Sequence, residues 1–260
     1  MFIFTCPKIT GTTQGIGQPI AIADGPSPAE APEIYSDPQN FEEKWWPSRY
    51  GEGDKLGSAN ELTGEKIVEA AKLVSEGLVY DLGTTYESAN PGYPPRLWNN
   101  LVLSHGAMDP LGSNKLLYLE EIFIGCPGKG TQLDGFAHVS IDGIFYNGFE
   151  MEEVFSADGV KKFGVEDYRP MVTRGLLIDL VAYKGRYLEP SEPITVADIE
   201  GFLDEHDLEV RPGDAVLIRT GWIRYFWEDP EKFMESEPGI TKEVAKWLYD
   251  QRVVLVGTDQ

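Results

Sequence analysis

A group of polar side chains in a glycine-rich stretch is the part of this sequence whose residue types best suit chemistry. Gln132, Asp134 and His138 follow the loop at 128–130 and supply an amide, a carboxylate and an imidazole. Because Gln132 and Asp134 are two residues apart, their side chains share one face of an extended segment. His138 can fold back towards them if residues 135–138 turn or begin a helix. A carboxylate beside an imidazole can orient and deprotonate a water molecule, as general base catalysis requires.

The same residue types also have a purely structural interpretation, which is about equally strong. Asp134 would then cap the following turn, and His138 would be a hydrogen-bonded, partly buried side chain. The chain has two further histidines. His105 lies between a predicted strand and a turn, where it can either add a nitrogen to the site or act as a surface or capping residue. His206 lies on a predicted helix and is expected to interact with the dipole at its end.

Other catalytic signatures do not fit the sequence. Residues 128–131 superficially resemble a phosphate-binding loop, but Phe123 and Gly130 stand where that loop needs a glycine and a hydroxyl residue. No GxGxxG opens a helix and no GxSxG is present, so neither a dinucleotide enzyme nor an α/β-hydrolase is predicted. Cys126 is a candidate nucleophile without a sequence-adjacent base. It lies far from Cys6, so two reduced thiols are expected.

The composition favours a folded, soluble and cytoplasmic protein. The 260 residues are 42% hydrophobic and 12% aromatic, which suits a substantial core and argues against wholesale disorder. The formal net charge of -21 leaves little basic surface to displace the counterions of a phosphate backbone, so no nucleic acid partner is predicted. No apolar run is long enough to span a membrane, and the apolar start at 1–4 is too short for a secretory signal.

Two regions are predicted along the chain. Residues 1–45 mix proline, glycine, serine and alanine irregularly and are expected to form an extended or partly disordered N-terminal arm. Residues 46–260 are expected to form a single α/β domain, because the alternation of strands and helices in the second half implies parallel crossovers. The chain stops directly after an apolar strand, so the domain is expected to be incomplete at its C-terminal end.

The predicted elements of the domain begin with a helix and a strand. An N-cap at Thr63 and a stop at Gly77 predict a surface helix, which is followed by a buried strand over 78–82. The irregular, proline-containing segment 83–100 is expected to wall an apolar pocket. The other predicted elements are strands at 101–103, 115–124, 176–180, 215–219 and 253–256, a hairpin at 141–148, and helices capped by Thr195 and Thr241.

The glycine-rich stretch resembles the active-site loop of the cyclase family, which includes bacterial kynurenine formamidase and isatin hydrolase. The family signature is His-x-Gly-Thr-His-x-Asp-x-x-x-His, and its Gly-Thr pair aligns with residues 130–131. The resemblance implies that Asp134 is the metal-bridging aspartate and that His138 is the proton donor and acceptor. It places Gly128 and Gln132 where the family has two metal-binding histidines, as in a branch that carries Gly-Thr-Gln.

The likeness extends over most of residues 50–260. It implies the family fold, a swivelling β/α/β domain with a mixed β-sheet or barrel-like core flanked by helices. Because the family binds a divalent metal, zinc or manganese is expected at Asp134 and Gln132. A neutral amide oxygen suits hard cations such as manganese better than zinc, and Gly128 offers no ligand atom at all, so this binding is expected to be weak. The other matching segments are 57–63, 79–82, 145–148, 219–222 and 256–259.

The resulting hypothesis is a homodimeric or homotetrameric arylformamidase-like hydrolase. It would cleave a non-peptide C–N bond of an amide or cyclic amide, or an ester, in a small aromatic or carbonyl compound, as in kynurenine catabolism. Asp134 would hold the metal or orient water, His138 would be the general acid and base, and Gln132 would bind the cation or a substrate oxygen. One alternative is a non-catalytic small-molecule-binding relative that has lost its metal site, and another is a cyclase or dehydratase. The aromatic rings predicted to line the substrate pocket are those of Tyr93, Trp98 and Trp222.

Overall fold

The computed structural model describes residues 1–4, 14–16 and 46–260. Within them no helix is both long enough and apolar enough to cross a membrane. The helices are α1 (Gly64–Ala71), α2 (Met151–Val154), α3 (Leu180–Lys184), α4 (Val196–Glu205), α5 (Arg224–Glu228), α6 (Pro230–Phe233) and α7 (Lys242–Asp250). The strands are β1 (Phe2–Phe4), β2 (Gln14–Ile16), β3 (Trp98–His105), β4 (Tyr118–Gly125), β5 (Gln132–Asp134), β6 (Met171–Thr173), β7 (Gly175–Asp179), β8 (Pro193–Ile194), β9 (Ala215–Arg219), β10 (Gly239–Ile240) and β11 (Leu255–Thr258).

A three-stranded parallel sheet carries the main core of the protein. Its order is β7-β9-β11, and β9 is paired in parallel with both neighbours. Along β7, Leu176 and Ile178 are buried while Leu177 between them is 54% exposed, as expected for a sheet packed on one face. Helices α4 and α7 cover that face through Ile199 and Val244. The other strands form two-stranded pairs, and none of the described sheets closes into a barrel. The expected α/β architecture with flanking helices is therefore found, and its core sheet is parallel.

The helix caps of the second half form as predicted. Thr195 accepts a hydrogen bond from the backbone N–H of Asp198, whose carboxylate accepts one from the Thr195 backbone at 2.8 Å. Thr241 caps α7 in the same way through its hydroxyl oxygen. Strand β9 has its predicted bounds. Strand β11 begins two residues later than predicted, because the backbone N–H of Val253 is taken by the carbonyl of Leu248 at the end of α7.

The region from α1 to residue 82 differs from its prediction. Thr63 caps α1, since its side chain accepts a backbone hydrogen bond from the first turn, but the helix ends at Ala71 rather than near Gly77. Residues 78–82 form no strand, because no segment in the described part of the chain pairs with them, and Val79 is 93% exposed. The prediction of a buried strand here is wrong. An apolar segment becomes a strand only where a partner satisfies its backbone hydrogen bonds.

Strands β3 and β4 form a long antiparallel hairpin with apolar side chains on both faces. The pairing runs from Trp98 opposite Gly125 to His105 opposite Tyr118, which confirms the extended conformation predicted for both segments. A two-stranded hairpin is at best marginally stable in water, so an exposed apolar hairpin of this length indicates a covering surface. The side chains that are at least 40% exposed include Leu101, Val102, Leu103, Leu119, Ile122, Phe123 and Ile124.

The described parts of the N-terminal region pair with later strands. Strand β1 lies antiparallel to β6, and β2 lies antiparallel to β5. The prediction of an extended or partly disordered arm falls mainly on residues 5–13 and 17–45, which lie outside the described part of the chain.

The hairpin predicted at 141–148 is reduced to two tight turns. Asp142 and Gly143 both have positive φ angles, 50° and 75°, which is the conformation that an Asp-Gly turn adopts. Ile141 and Ile144 form an isolated bridge rather than extended strands. Asn147, also at positive φ, accepts a hydrogen bond from the Ser48 backbone N–H at 2.7 Å. The turn therefore ties the start of the domain to the segment that follows the candidate site.

A buried carboxylate joins α1 to the parallel sheet. Asp214, which is fully buried, lies 3.0 Å from the Lys66 ammonium of α1 and 2.5 Å from the Arg174 guanidinium that precedes β7. It also accepts a hydrogen bond from the Arg211 backbone N–H at 2.8 Å. Two cations and a turn thus depend on one carboxylate at the entry to β9.

Candidate active site

Strand β5 positions the amide and the carboxylate of the candidate site. The residue between them, Leu133, is buried in a cluster that includes Ala215 of β9 and Leu255 of β11. Because side chains alternate across a strand, Gln132 and Asp134 share the opposite face. The core packing of one leucine therefore fixes the direction of both polar side chains.

A turn after β5 brings the imidazole to the carboxylate. The backbone N–H of His138 donates to the carbonyl of Gly135 at 2.9 Å, so residues 135–138 form a turn, one of the two conformations that would let His138 fold back. His138 Nε2 lies 3.9 Å from Asp134 Oδ2, and the two side chains remain 28% and 21% exposed. Catalytic hydrogen bonds are often long before a substrate is bound, so this separation suits an acid/base pair that a ligand can still reach.

Gln132 is the buried member of the three. Its side chain is only 3% exposed, and its Oε1 atom is buried without a hydrogen-bond partner in the part of the chain that the structure describes. Most buried side-chain polar atoms are hydrogen-bonded, so such an acceptor calls for an explanation. An N–H group of a bound molecule is one group that would satisfy it.

Hydrogen bonds from the segment before β3 hold residues 127–131, the site loop, in place. Thr131 Oγ1 accepts from the backbone N–H of Thr84 at 2.8 Å, and the Thr131 backbone N–H donates to Thr84 Oγ1 at 2.9 Å. The Tyr86 hydroxyl reaches two carbonyls of the loop, that of Pro127 at 2.8 Å and that of Thr131 at 2.5 Å. A Cβ on Gly130 would lie 2.9 Å from the Tyr86 ring, so glycine is what permits this close approach.

Changing Tyr86 to phenylalanine tests how firmly the loop is held. We expect the free energy of unfolding to fall by about 1–3 kcal/mol, because loop carbonyls lose their donor, and we expect kcat to fall with it. Urea denaturation measures the first quantity. Tyr80→Phe, at a side chain that is 75% exposed, is the matched control and should be neutral. Equal stability of the two variants would contradict the holding role of Tyr86.

A buried lysine makes a second link between the same two segments. Lys129 is 7% exposed, and its ammonium donates to the carbonyls of Asn90 and Ser88. In return the Asn90 side-chain amide donates to the Lys129 carbonyl at 3.0 Å. The side chain of Lys129 and that of Asn90 therefore join the loop to the segment before β3 through three hydrogen bonds.

Arg96, which the sequence interpretation did not single out, covers Gly128. A Cβ on Gly128 would lie 2.8 Å from the Cζ, Nε and Nη1 atoms of the guanidinium, and Nη1 donates to the Gly128 carbonyl at 3.3 Å. A cation therefore stands against the position where the resemblance expects the first metal-binding histidine. Arg96 carries no local motif, and only the close packing on Gly128 reveals it.

The side chains present do not fit a zinc or manganese site. In the described part of the chain no three His, Cys, Asp or Glu side chains are grouped as metal ligands. His105 stacks on Tyr118 at the far end of the β3–β4 hairpin, and His206 Nδ1 lies 2.9 Å from the Phe202 carbonyl at the end of α4. Asp134 and His138 with one neutral amide are a poor donor set for zinc, and they supply fewer oxygen ligands than the octahedral site that manganese prefers.

The three predicted aromatic residues lie in different environments. Trp98 packs 4.5 Å from the Tyr86 ring, which connects the base of the β3–β4 hairpin to the site loop. Tyr93 is 49% exposed, and its hydroxyl donates to the Met234 carbonyl at 2.9 Å. Trp222 is 1% exposed, so its ring belongs to the protein interior.

Two sequence segments that carried the resemblance meet at the ends of β9 and β11. The Asp259 carboxylate accepts hydrogen bonds from the backbone N–H and the hydroxyl of Thr220, at 2.7 and 2.6 Å, and from the Gly221 N–H at 2.8 Å. These contacts give Thr220 and Asp259 a structural role, the joining of two parallel strands at their carboxyl ends.

Comparisons with known proteins agree with this fold. The sequence model of a family described as "Putative cyclase" matches residues 80–260. The chain is also similar to a solved structure described as that of "a novel cyclase", with 28% identity and a TM-score of 0.75. That match covers 82% of this chain and 76% of the other. No curated protein matches the chain.

Proposed function

Since the chain belongs to the cyclase family, we propose that it is a hydrolase that opens an amide, cyclic amide or ester of a small aromatic or carbonyl compound. The cyclase-like α/β fold expected from the sequence is confirmed by the similar solved structure. The observation that supports the proposed activity most is the approach of His138 Nε2 to Asp134 Oδ2 at 3.9 Å, at the end of a strand fixed by the core.

The proposed mechanism uses His138 as general base and then as general acid. Its imidazole takes a proton from a water molecule, whose oxygen attacks the carbonyl carbon of the substrate. The imidazolium then returns the proton to the leaving nitrogen, so the C–N bond breaks and an acid and an amine result. Asp134 stabilises the positive charge that the imidazole carries between the two steps.

Gln132 is proposed to orient the substrate. Its buried Oε1 atom is an acceptor without a partner among the described residues, and the N–H of an amide substrate is a matching donor. A site that hydrogen-bonds a substrate N–H discriminates strongly against analogues that lack it, since the buried acceptor then stays unpaired. This favours amides over esters.

Formate release from formanilide, a simple N-formyl aryl amide, tests the proposal. We expect the purified protein to release formate at a rate that saturates with substrate and that depends on His138. An absence of turnover with formanilide, with its ortho-carboxylated analogue 2-formamidobenzoate and with a cyclic amide would overturn it.

The second candidate function is binding of a small molecule without turnover. The replacement of ligand positions by Gly128 and Gln132, and the guanidinium of Arg96 over Gly128, favour it. It predicts saturable binding of a small organic acid or amide with no hydrolysis. The two candidates are separated by measuring binding and turnover on the same preparation.

We further propose that the protein is a cytoplasmic homodimer or homotetramer in which a second copy covers the exposed β3–β4 hairpin. Its strands carry only two acidic residues, Glu120 and Glu121, in a chain of formal net charge -21, so self-association there brings few like charges together. Light scattering should give a dimer or tetramer for the native protein and a smaller species for Leu101→Lys. A monomeric native protein would contradict the proposal.

A further inference from the structure

The guanidinium of Arg96 is placed against the site loop by a glycine. A side chain at Gly128 would meet it, since a Cβ there would lie 2.8 Å from three of its atoms. Arg96 is partly buried, and the only hydrogen bond from its guanidinium to another described residue is the 3.3 Å contact from Nη1 to the Gly128 carbonyl. A guanidinium has five N–H donors in a planar fork, so most of its capacity is left for another acceptor.

The segment after α6 supplies an acidic neighbour of Arg96. The turn that carries Arg96 docks on the segment after α6, where the Tyr93 hydroxyl donates to the Met234 carbonyl at 2.9 Å. Glu237 in that segment is close enough to be influenced by Arg96 but forms no ion pair with it. Burial raises the pKa of the Glu237 carboxyl, while the nearby Arg96 opposes that rise.

Arg96 and the Oε1 atom of Gln132, which has no partner among the described residues, flank the same turn of the loop. The carbonyls of Pro127 and Thr131, which directly precede Gly128 and Gln132, both lie within hydrogen-bonding distance of one Tyr86 hydroxyl. The backbone positions next to Gly128 and Gln132 are thereby drawn together. A molecule lying against this turn has a cationic fork from Arg96 and a buried acceptor from Gln132 beside it.

We propose that Arg96 binds a carboxylate of the substrate, so that the cleaved compound is an amide that carries an acidic group. This rests on the proposed hydrolase function and adds the substrate class. Arginine is suited to carboxylates because its fork makes two parallel charge-assisted hydrogen bonds. In a chain of formal net charge -21 an anion is repelled at long range, so a specific cation at the site is what allows it to bind.

Binding of benzoate and benzamide, two probes of nearly the same shape that differ in charge, tests the assignment. Isothermal titration should give tighter binding of benzoate than of benzamide to the native protein. Arg96→Ala should weaken benzoate binding by roughly tenfold to hundredfold, the usual range for a charge-assisted hydrogen bond, and should leave benzamide binding nearly unchanged. Arg96→Lys should restore part of the loss, since it keeps the charge without the fork.

A double-mutant cycle with Gly128→Ala supplies the matched control. The new methyl group displaces the guanidinium, so Gly128→Ala alone should weaken benzoate binding, yet in an Arg96→Ala background it should change nothing further. Equal effects of Arg96→Ala on both probes, or independent effects of the two substitutions, would overturn the assignment and leave Arg96 a structural link. Thermal unfolding of each variant separates a loss of fold from a loss of binding.

A failure of the Arg96 assignment can be distinguished from a failure of the proposed hydrolase activity. Benzoate is not hydrolysed, so its binding is measured without turnover. Arg96-dependent benzoate binding with no hydrolysis of any amide would uphold Arg96 as a carboxylate-binding residue and reject the hydrolase. Hydrolysis that depends on His138, together with benzoate binding that is unchanged by Arg96→Ala, would support the hydrolase and reject the role of Arg96.

Discussion

Replacing His138 with alanine is expected to lower kcat for amide hydrolysis by roughly 100- to 10,000-fold, the usual contribution of a general acid and base. The imidazole is 28% exposed and lies at the end of a turn held by its own backbone N–H, so the fold should persist without it. Formate release from formanilide measures the rate, and circular dichroism and thermal unfolding measure the fold.

His206→Ala is the matched control for that experiment. This histidine lies at the end of α4, where Nδ1 contacts the Phe202 carbonyl at 2.9 Å and the ring stacks on that of Phe202. Its loss should leave kcat unchanged and affect only stability. Full activity of His138→Ala, or an equal loss of activity in both variants, would remove His138 from the mechanism.

Asp214→Ala is expected to have the largest effect on stability, about 3–5 kcal/mol of unfolding free energy, because it leaves two nearly buried cations without their carboxylate. Lys66 and Arg174, both within 3.0 Å of it, are only 12% and 17% exposed. The Arg211 backbone N–H loses its acceptor as well. Urea denaturation of the native protein and the variant, with the slopes compared, measures the difference.

The exposed ion pair between Arg211 and Glu209 provides the contrast. These side chains are 54% and 68% exposed, so Glu209→Ala should cost no more than about 1 kcal/mol. Asp214→Asn keeps the shape and part of the hydrogen bonding, so its loss of unfolding free energy should lie between those of Asp214→Ala and Glu209→Ala. A loss below about 1 kcal/mol for Asp214→Ala would mean that the buried network contributes little to stability.

Local chemistry explains which parts of the fold could be predicted from the sequence. The cap at Thr195 and Asp198 and the apolar run of β9 need only neighbouring residues, and both form as expected. The sequence allowed for a turn over residues 135–138 that would bring His138 back to Asp134, and the backbone N–H of His138 does close such a turn on Gly135. The strand predicted at 78–82 does not form, because a strand needs a pairing partner and the sequence pattern does not reveal whether one exists.

The site itself was only half predictable for a related reason. Gln132, Asp134 and His138 are close in sequence, whereas Arg96 reaches Gly128 from another segment through tertiary packing. Glycine at position 128 was recognised as a lost ligand position. Only the three-dimensional structure shows that the missing side chain of Gly128 also leaves room for the Arg96 guanidinium.

The most direct test of the central claim, that Asp134 and His138 act as one acid/base unit, is kcat for Asp134→Asn, His138→Ala and the double variant with the same amide. If the two residues act together, the double variant should be within about threefold of His138→Ala alone, because the carboxylate has no imidazolium left to stabilise. Losses that multiply across the two substitutions, or full activity in either single variant, would contradict the claim.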